Sequence, residues 1–305
     1  GSYRLFTSLE KRGLLKLKVL DLTRADSLAQ IAEIKPKLVW IETPSNPILR
    51  LTDIEAVVNA AHEVGALVGA DNTFLSPALQ NPISFGVDIV VHSTTKYING
   101  HSDVVGGALI AKTQELGEEL AWWANNIGIT GAPFDSYLTL RGLRTLKVRL
   151  KQHEENALAI AKYLEQSEYV RKVYYPGLES HPQHVLAKKQ QLGFGGMVSF
   201  DIAGGLEDAA AFLTTVKEFS LAESLGGVES LICHPATMTH AGMEPKARLE
   251  AGVGDTLIRI SVGIEEVADL LADLEAAFAK TQPGKAPASA DNKACKLTPA
   301  HPALW

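Results

Sequence analysis

The sequence predicts an α/β protein: a mainly parallel sheet with helices on both faces, followed by a smaller α+β unit. Three observations carry that reading. Uninterrupted apolar runs at Leu38–Ile41, Ala66–Ala70 and Ile89–Val91 have the length and composition of strands buried on both faces. Between the first two lies an amphipathic stretch with Ile54, Val57, Val58, Ala61 and Val64 at helical spacing. A helix joining two such strands makes them parallel, with a right-handed crossover. Beyond residue 150 strands alternate with helices in the manner of a mixed or antiparallel sheet backed by helices.

Taken in order, residues 5–12 read as a short helix closed by Gly13, and Val19-Leu20 as a short strand. Leu38–Ile41 is a clearer strand; Pro44 and Pro47 in Glu42-Thr43-Pro44-Ser45-Asn46-Pro47 then exclude a helix and make a rigid turn. Thr52 and Glu55 form a capping box for the helix that Gly65 closes. Asp71 ends the second strand, and a short connection leads to the third; Val104–Ala111 reads as a further strand. Residues 112–152 are mostly helical, with adjacent Trp122 and Trp123 suited to core or interface packing. Arg141–Leu146 leads into a long helix that runs to about Gln166 and carries the chain into its second unit. There the strands are Val170–Tyr175, Met197–Ile202, Leu221–Leu225 and Leu257–Val262, and a helix over Glu265–Lys280 shows a stripe of Val267, Leu270, Leu271, Leu274 and Phe278. The resulting division is 1–150, 151–280, and a Pro-, Ala- and Lys-rich tail, 281–305, expected to be disordered.

The 305 residues suffice for a large core and two domains, and 46% hydrophobic with 21% charged residues is ordinary for a globular protein. A net charge of -6 offers no basic footprint, so no nucleic-acid partner is expected. No apolar run approaches a membrane span and no signal peptide opens the chain, so no membrane partner is expected either. Cys233 and Cys295 form no CxxC pair and suggest no disulfide framework, which makes a reducing cytoplasm the simplest setting. His181-Pro182-Gln183-His184 has some metal-ligand character, but it lacks a nearby carboxylate and sits in a loop. A metal hydrolase is therefore disfavoured and no metal site is expected.

The chemistry concentrates at strand ends. Successive apolar runs terminate near Asn46, Asp71 and Lys96, 25 residues apart each time. In open α/β sheets ligands sit just beyond the carboxyl ends of strands, so three polar groups converge on one sheet edge. A partly dehydrated Lys96 has a lowered pKa and can form a Schiff base with a carbonyl. Ser93 and Thr95 lie on one side of an extended chain and suit an anion such as a phosphate. A lysine used in this way needs an electron sink, which pyridoxal phosphate (PLP) supplies when a carboxylate keeps its ring nitrogen protonated. Asp71 fits that role, or else a turn cap; Asn46 fits a contact to the phenolic oxygen, or a plain Asn-Pro turn. Thr73 fits a brace for the ring, or a cap. Arg259, between Ile258 and Ile260, is costly to bury without an anion, and its fork matches a carboxylate; an edge-strand arginine in water is the alternative.

Several motifs resemble those of the Cys/Met-metabolism PLP-dependent enzymes: ETPSNP, ADNTF, VHSTTKYINGHSDVVGG, SLGGVESL and ATMTHAGM. The likeness spans Gly1 to about Ala279 and is specific, and it is strongest to the members that make cystathionine, through AWWANNIGITGAPFDSYLTLRGLRT and AESLGGVESLICHPATMTH. It implies fold type I of the PLP enzymes, a homotetramer built from dimers, and small amino-acid substrates. It implies that Lys96 carries the cofactor and moves protons, that Asp71 pairs with the pyridine nitrogen, that Ser93 and Thr95 hold the phosphate, and that Asn46 and Thr73 contact the ring. It assigns Arg259 to the substrate α-carboxylate, Glu223 and Ser224 to the substrate side, and Arg4 to the distal carboxylate of a succinyl substrate. The reaction implied is γ-replacement on O-succinylhomoserine, or another O-acylhomoserine, by cysteine to give cystathionine. Cystathionine γ-lyase and homocysteine-forming sulfhydrylases share these motifs, and an inactive cofactor-binding fragment is an alternative of another kind. The family's N-terminal arm and Gly-rich phosphate loop have no counterpart in the 305 residues, so weak cofactor binding by this stretch alone is expected.

Overall fold

The computed structural model describes residues 1–282. Two helices, α1 (Ser2–Lys11) and α2 (Ala25–Ile34), precede the first sheet. That sheet is built from β1 (Leu38–Glu42), β2 (Leu67–Asp71), β3 (Ile89–Ser93) and β4 (Gly107–Ala111), adjacent in that order. The first three strands are parallel and β4 is antiparallel to β3. Helix α3 (Ile54–Glu63) makes the β1–β2 crossover and buries Ile54, Val57, Val58 and Ala61 against Val39, Ile41, Val68, Ala70 and Val90. A short helix, α4 (Ser76–Leu79), follows β2.

The segment after β4 is helical: α5 (Gln114–Ile127), α6 (Pro133–Leu143) and α7 (Leu146–Gln166). Helix α7 buries Leu150, Ala157, Ile160, Ala161 and Leu164. Behind it stands a second sheet, of β5 (Val170–Tyr174), β6 (Met197–Ile202), β7 (Ser220–Leu221), β8 (Leu231–Cys233) and β9 (Leu257–Ser261), ordered β5-β6-β9-β8-β7. It is mixed: β7 and β8 are parallel and the other pairs antiparallel. Its helices are α8 (His184–Gln190), α9 (Leu206–Thr215), α10 (Pro245–Glu250) and α11 (Val267–Phe278). Phe200, Phe212 and Phe278 meet in the core between α9, α11 and the sheet.

Some sequence expectations need correction. Val19-Leu20 forms no strand; Leu20 instead packs, half-buried, against the first core, because two apolar residues anchor an extended segment as well as they start a ladder. The cap of α3 is Asp53, whose Oδ1 accepts the Ala56 N–H at 3.1 Å, while the Thr52 N–H donates to Thr43 Oγ1. The strand expected over Leu221–Leu225 stops at Leu221, since the Glu223 and Ser224 carbonyls that would extend a ladder accept from the Arg259 guanidinium. Helix α2 and the three-residue β8 carried no clear signal. Trp122 and Trp123 pack edge-to-face at 4.9 Å, yet both stay half-exposed at 57% and 51%, and α5 has no buried residue. The tail 283–305 lies outside the described residues.

Candidate active site

The parallel register places Glu42 beside Asp71 and Asp71 beside Val91, so the carboxyl ends of β1, β2 and β3 form one ledge. Asn46, Asp71 and Lys96 stand on or just past it. A second layer closes over the ledge from the other sheet, where β9 delivers Arg259 and the segment after β7 delivers Ser224.

Lys96 is half-buried three residues beyond β3. Its Nζ donates to Ser224 Oγ at 2.8 Å. Burial, reinforced by the Arg259 guanidinium and opposed by the Glu223 carboxylate, lowers its pKa to about 8. An amine so placed loses its proton far more readily than a surface lysine.

Arg259 is 2% exposed. Its Nη1 donates to Asn46 Oδ1 at 3.0 Å, and its Nη2 to the Glu223 and Ser224 carbonyls at 2.6 and 3.1 Å. The buried Nε has no acceptor. Such a donor normally costs free energy unless a ligand satisfies it. Ser224 thereby links the amine to the guanidinium, through its hydroxyl on one side and its carbonyl on the other.

Asp71 Oδ1 accepts the Thr73 N–H at 3.0 Å, so it does cap the turn, but Oδ2 has no donor among the described residues. Thr73 Oγ1 accepts the Ser93 N–H at 2.9 Å, tying the end of β2 to that of β3. The Ser93 hydroxyl has no hydrogen bond among the described residues, whereas Thr95 Oγ1 accepts the Gly106 N–H at 2.9 Å and donates to the Gly106 carbonyl at 3.3 Å. Ser93 is thus set to donate to an added anion, and Thr95 exchanges only one long contact to do the same. The charge set fits pyridoxal phosphate: an amine of low pKa for its carbonyl carbon, a carboxylate with an unclaimed oxygen for its ring nitrogen, and hydroxyls for its phosphate.

Arg4 is not brought into this cluster. It lies exposed on α1, and its guanidinium makes no hydrogen bond or ion pair among the described residues. Helix α1 does border the ledge, because Phe6 packs edge-to-face on Trp40 of β1 at 5.5 Å. Glu223 is exposed, and its carbonyl, with its carboxylate nearby, is what reaches the site.

Sequence reasoning missed four neighbours. Glu42 Oε1 accepts the Asn46 N–H at 3.0 Å; crowding by protein and the Asp71 charge raise its pKa, although water still reaches the carboxyl. Tyr97, Arg149 and His153 form a fully packed layer behind Lys96. Their signal was present: Arg149 and His153 interrupt the apolar stripe of α7 at core-facing positions. The His-Pro-Gln-His pattern proves to be a clamp. Gln183 bonds the Leu51 backbone through both amide atoms and His184 bonds the Pro176 carbonyl, and no metal-binding cluster occurs among the described residues.

Comparison with known proteins agrees with this geometry. Residues 1–279 match the Cys/Met metabolism PLP-dependent enzymes. Cystathionine gamma-synthase of Escherichia coli (strain K12) is 55% identical over 284 residues, covering 93% of this chain and 74% of that protein. Cystathionine gamma-lyase of Dictyostelium discoideum is 50% identical over 280 residues, covering 92% of this chain and 72% of the relative. Among solved structures, cystathionine gamma synthase from Xanthomonas oryzae pv. oryzae in complex with aminoacrylate and cysteine superposes with a TM-score of 0.90 at 58% identity, covering 92% of this chain and 72% of the other.

Proposed function

The chain belongs to the Cys/Met metabolism PLP-dependent enzyme family, and we propose that within it the chain catalyses γ-replacement on O-succinylhomoserine, or another O-acylhomoserine, by cysteine, giving cystathionine. The observation that carries the proposal is the connected pair of a half-buried amine and a buried guanidinium: Lys96 Nζ on Ser224 Oγ, and Ser224 O on Arg259. When bound, pyridoxal phosphate supplies an electron sink for negative charge that develops at the substrate α-carbon.

The chain's own residues supply the rest. Asp71 holds a proton on the ring nitrogen, and Ser93 and Thr95 hold the phosphate. Asn46, whose Oδ1 accepts from Arg259, would also contact the cofactor, so the two binding tasks would share one side chain. Arg259 grips the α-carboxylate through donors that include the orphaned Nε. Lys96 would take a proton from Cα, give it up, and only then, neutral again, take one from Cβ; a flexible amine with a pKa lowered to about 8 suits this repeated exchange at two sites better than a rigid base. Departure of the acyl group from Cγ leaves that carbon to the cysteine thiol.

Arg4 is proposed to meet the distal carboxylate of the succinyl group; the border position of α1 supports this. We read residues 1–150 as the cofactor-binding domain and 151–280 as a smaller one, with the site at their junction. Assembly as a homotetramer of dimers belongs to the same proposal. It is supported by the apolar surface of α5 and α6, where Trp122, Trp123, Ile127, Phe134 and Tyr137 are exposed. A reducing, cytoplasmic setting agrees with a free, buried Cys233.

The test is product analysis with O-succinylhomoserine plus cysteine, set against cystathionine alone. Cystathionine formation that Lys96→Ala abolishes is the expected result. Preferential cleavage of cystathionine would make the chain a lyase, a reading supported by its 50% identical lyase relative.

A further inference from the structure

Four hydrogen bonds converge on a side chain that no step above uses. Arg149, in the first turn of α7, is 5% exposed. Its Nη1 donates to the Tyr97 carbonyl at 2.9 Å, and its Nη2 to the Gly142 carbonyl at 2.8 Å and the Ile98 carbonyl at 3.4 Å. Its Nε donates to Thr145 Oγ1 at 3.1 Å. It forms no ion pair with a carboxylate among the described residues, and burial lowers its pKa. A guanidinium buried without counter-charge is costly unless backbone acceptors surround it. The backbone acceptors are the carbonyls of the two residues that follow Lys96 and the Gly142 carbonyl in the last turn of α6, where the helix dipole collects partial negative charge.

The surrounding backbone is cut to admit this group. A Cβ on Gly100 would lie 2.1 Å from Arg149 Nη1, and one on Gly142 would lie 2.1 Å from the Asn99 carbonyl oxygen. Two positions without side chains thus let the turn after Lys96, the end of α6 and the start of α7 close around one guanidinium.

We propose that Arg149 is a positioning residue for Lys96: it seats the Tyr97–Ile98 turn against α6 and α7 and so keeps Lys96 Nζ beside Ser224 Oγ. The inference rests on Lys96 being the residue that carries cofactor and proton. Among the described residues, the groups that face Nζ include the Ser224 hydroxyl, the Arg259 guanidinium and the Glu223 carboxylate, and Arg149 hydrogen-bonds none of these three. A change in Lys96 caused by altering Arg149 therefore reports the seat of the turn.

The experiment measures the titration of Lys96 in the cofactor-free full chain, from the pH dependence of its reductive methylation read by mass spectrometry. Arg149→Met, Arg149→Lys and Thr145→Val are compared with Ile160→Ala, which loosens the far end of the same helix. The midpoint should move in Arg149→Met from about 8 toward the ordinary lysine value of about 10.4. Arg149→Lys should recover part of the shift, Thr145→Val should show a small one, and Ile160→Ala none despite a lower melting temperature. In the chain loaded with pyridoxal phosphate, Arg149→Met should lower kcat by ~10²-fold and leave KM for the amino acid within about twofold. An unmoved Lys96 midpoint in folded Arg149→Met overturns the inference. Should that variant not fold, unmoved midpoints in both Arg149→Lys and Thr145→Val overturn it. Borohydride treatment of the loaded wild type that fails to modify Lys96 would instead sink the assignment of Lys96, while the titration still decides whether Arg149 seats the turn.

Discussion

At the scale of single residues, Asp71 separates chemistry from folding. Its Oδ1 bond to the Thr73 N–H survives replacement of the carboxylate by an amide, so Asp71→Asn should keep its fold. A neutral amide cannot hold a proton on a ring nitrogen, so turnover should fall by ~10²-fold, a loss of about 2.7 kcal/mol in the transition state. Rate and melting temperature on one preparation check this, and a large drop in melting with intact rate would leave Asp71 as a cap alone. Arg259→Lys tests the carboxylate grip. A lysine cannot make the forked contact, and charge-assisted bonds contribute about 1.5–3 kcal/mol each. KM for the amino-acid substrate should rise by ~10- to 10²-fold, and an unchanged KM would remove the role.

At the scale of elements, the α6–α7 junction sets the position of the loop after Lys96. Gly142→Ala adds a methyl that would press on the Asn99 carbonyl, a backbone atom that cannot move without shifting the loop. Overpacking of this kind costs about 1–3 kcal/mol, visible as a lower melting temperature; a wild-type melting curve would mean that the junction relaxes freely. The same loop carries the Tyr97 and Ile98 carbonyls that accept from Arg149, so activity should fall along with stability. By contrast, Leu274→Ala in α11 opens a cavity in the aromatic core, at about 2–5 kcal/mol, far from the ledge. That variant should melt earlier while its folded fraction keeps a normal KM.

At the scale of the molecule, two buried histidines make the fold sensitive to acid. Burial lowers the pKa of His153 to about 4 and of His181 to about 4. His153 donates from Nδ1 to the Val262 carbonyl, and its buried Nε2 has no partner to share an added proton. In the unfolded chain both titrate near the ordinary value of about 6.5. Between that pH and about 4 the unfolded state binds more protons than the folded one, so stability falls as pH falls through this window. Denaturant unfolding at neutral pH and near pH 5 should show the loss, and His181→Gln should reduce it. An identical pH slope in that variant would clear His181 of any part.

Local chemistry made the strands, their parallel order and the polar groups at their ends legible, because short apolar runs, helical spacing and breaker residues are read within a dozen positions. Asn46, Asp71 and Lys96 could be found that way, since each closes a run. Which groups meet was decided by tertiary structure alone. Arg259 reaches Asn46 across 213 positions, Lys96 reaches Ser224 across 128, and Arg149 reaches Tyr97 across 52. The expected strand after Leu221 failed for the same reason: its carbonyls were claimed by a guanidinium from another strand. Buried donors and acceptors must find partners, and only the packing of distant segments determines which partner each one finds.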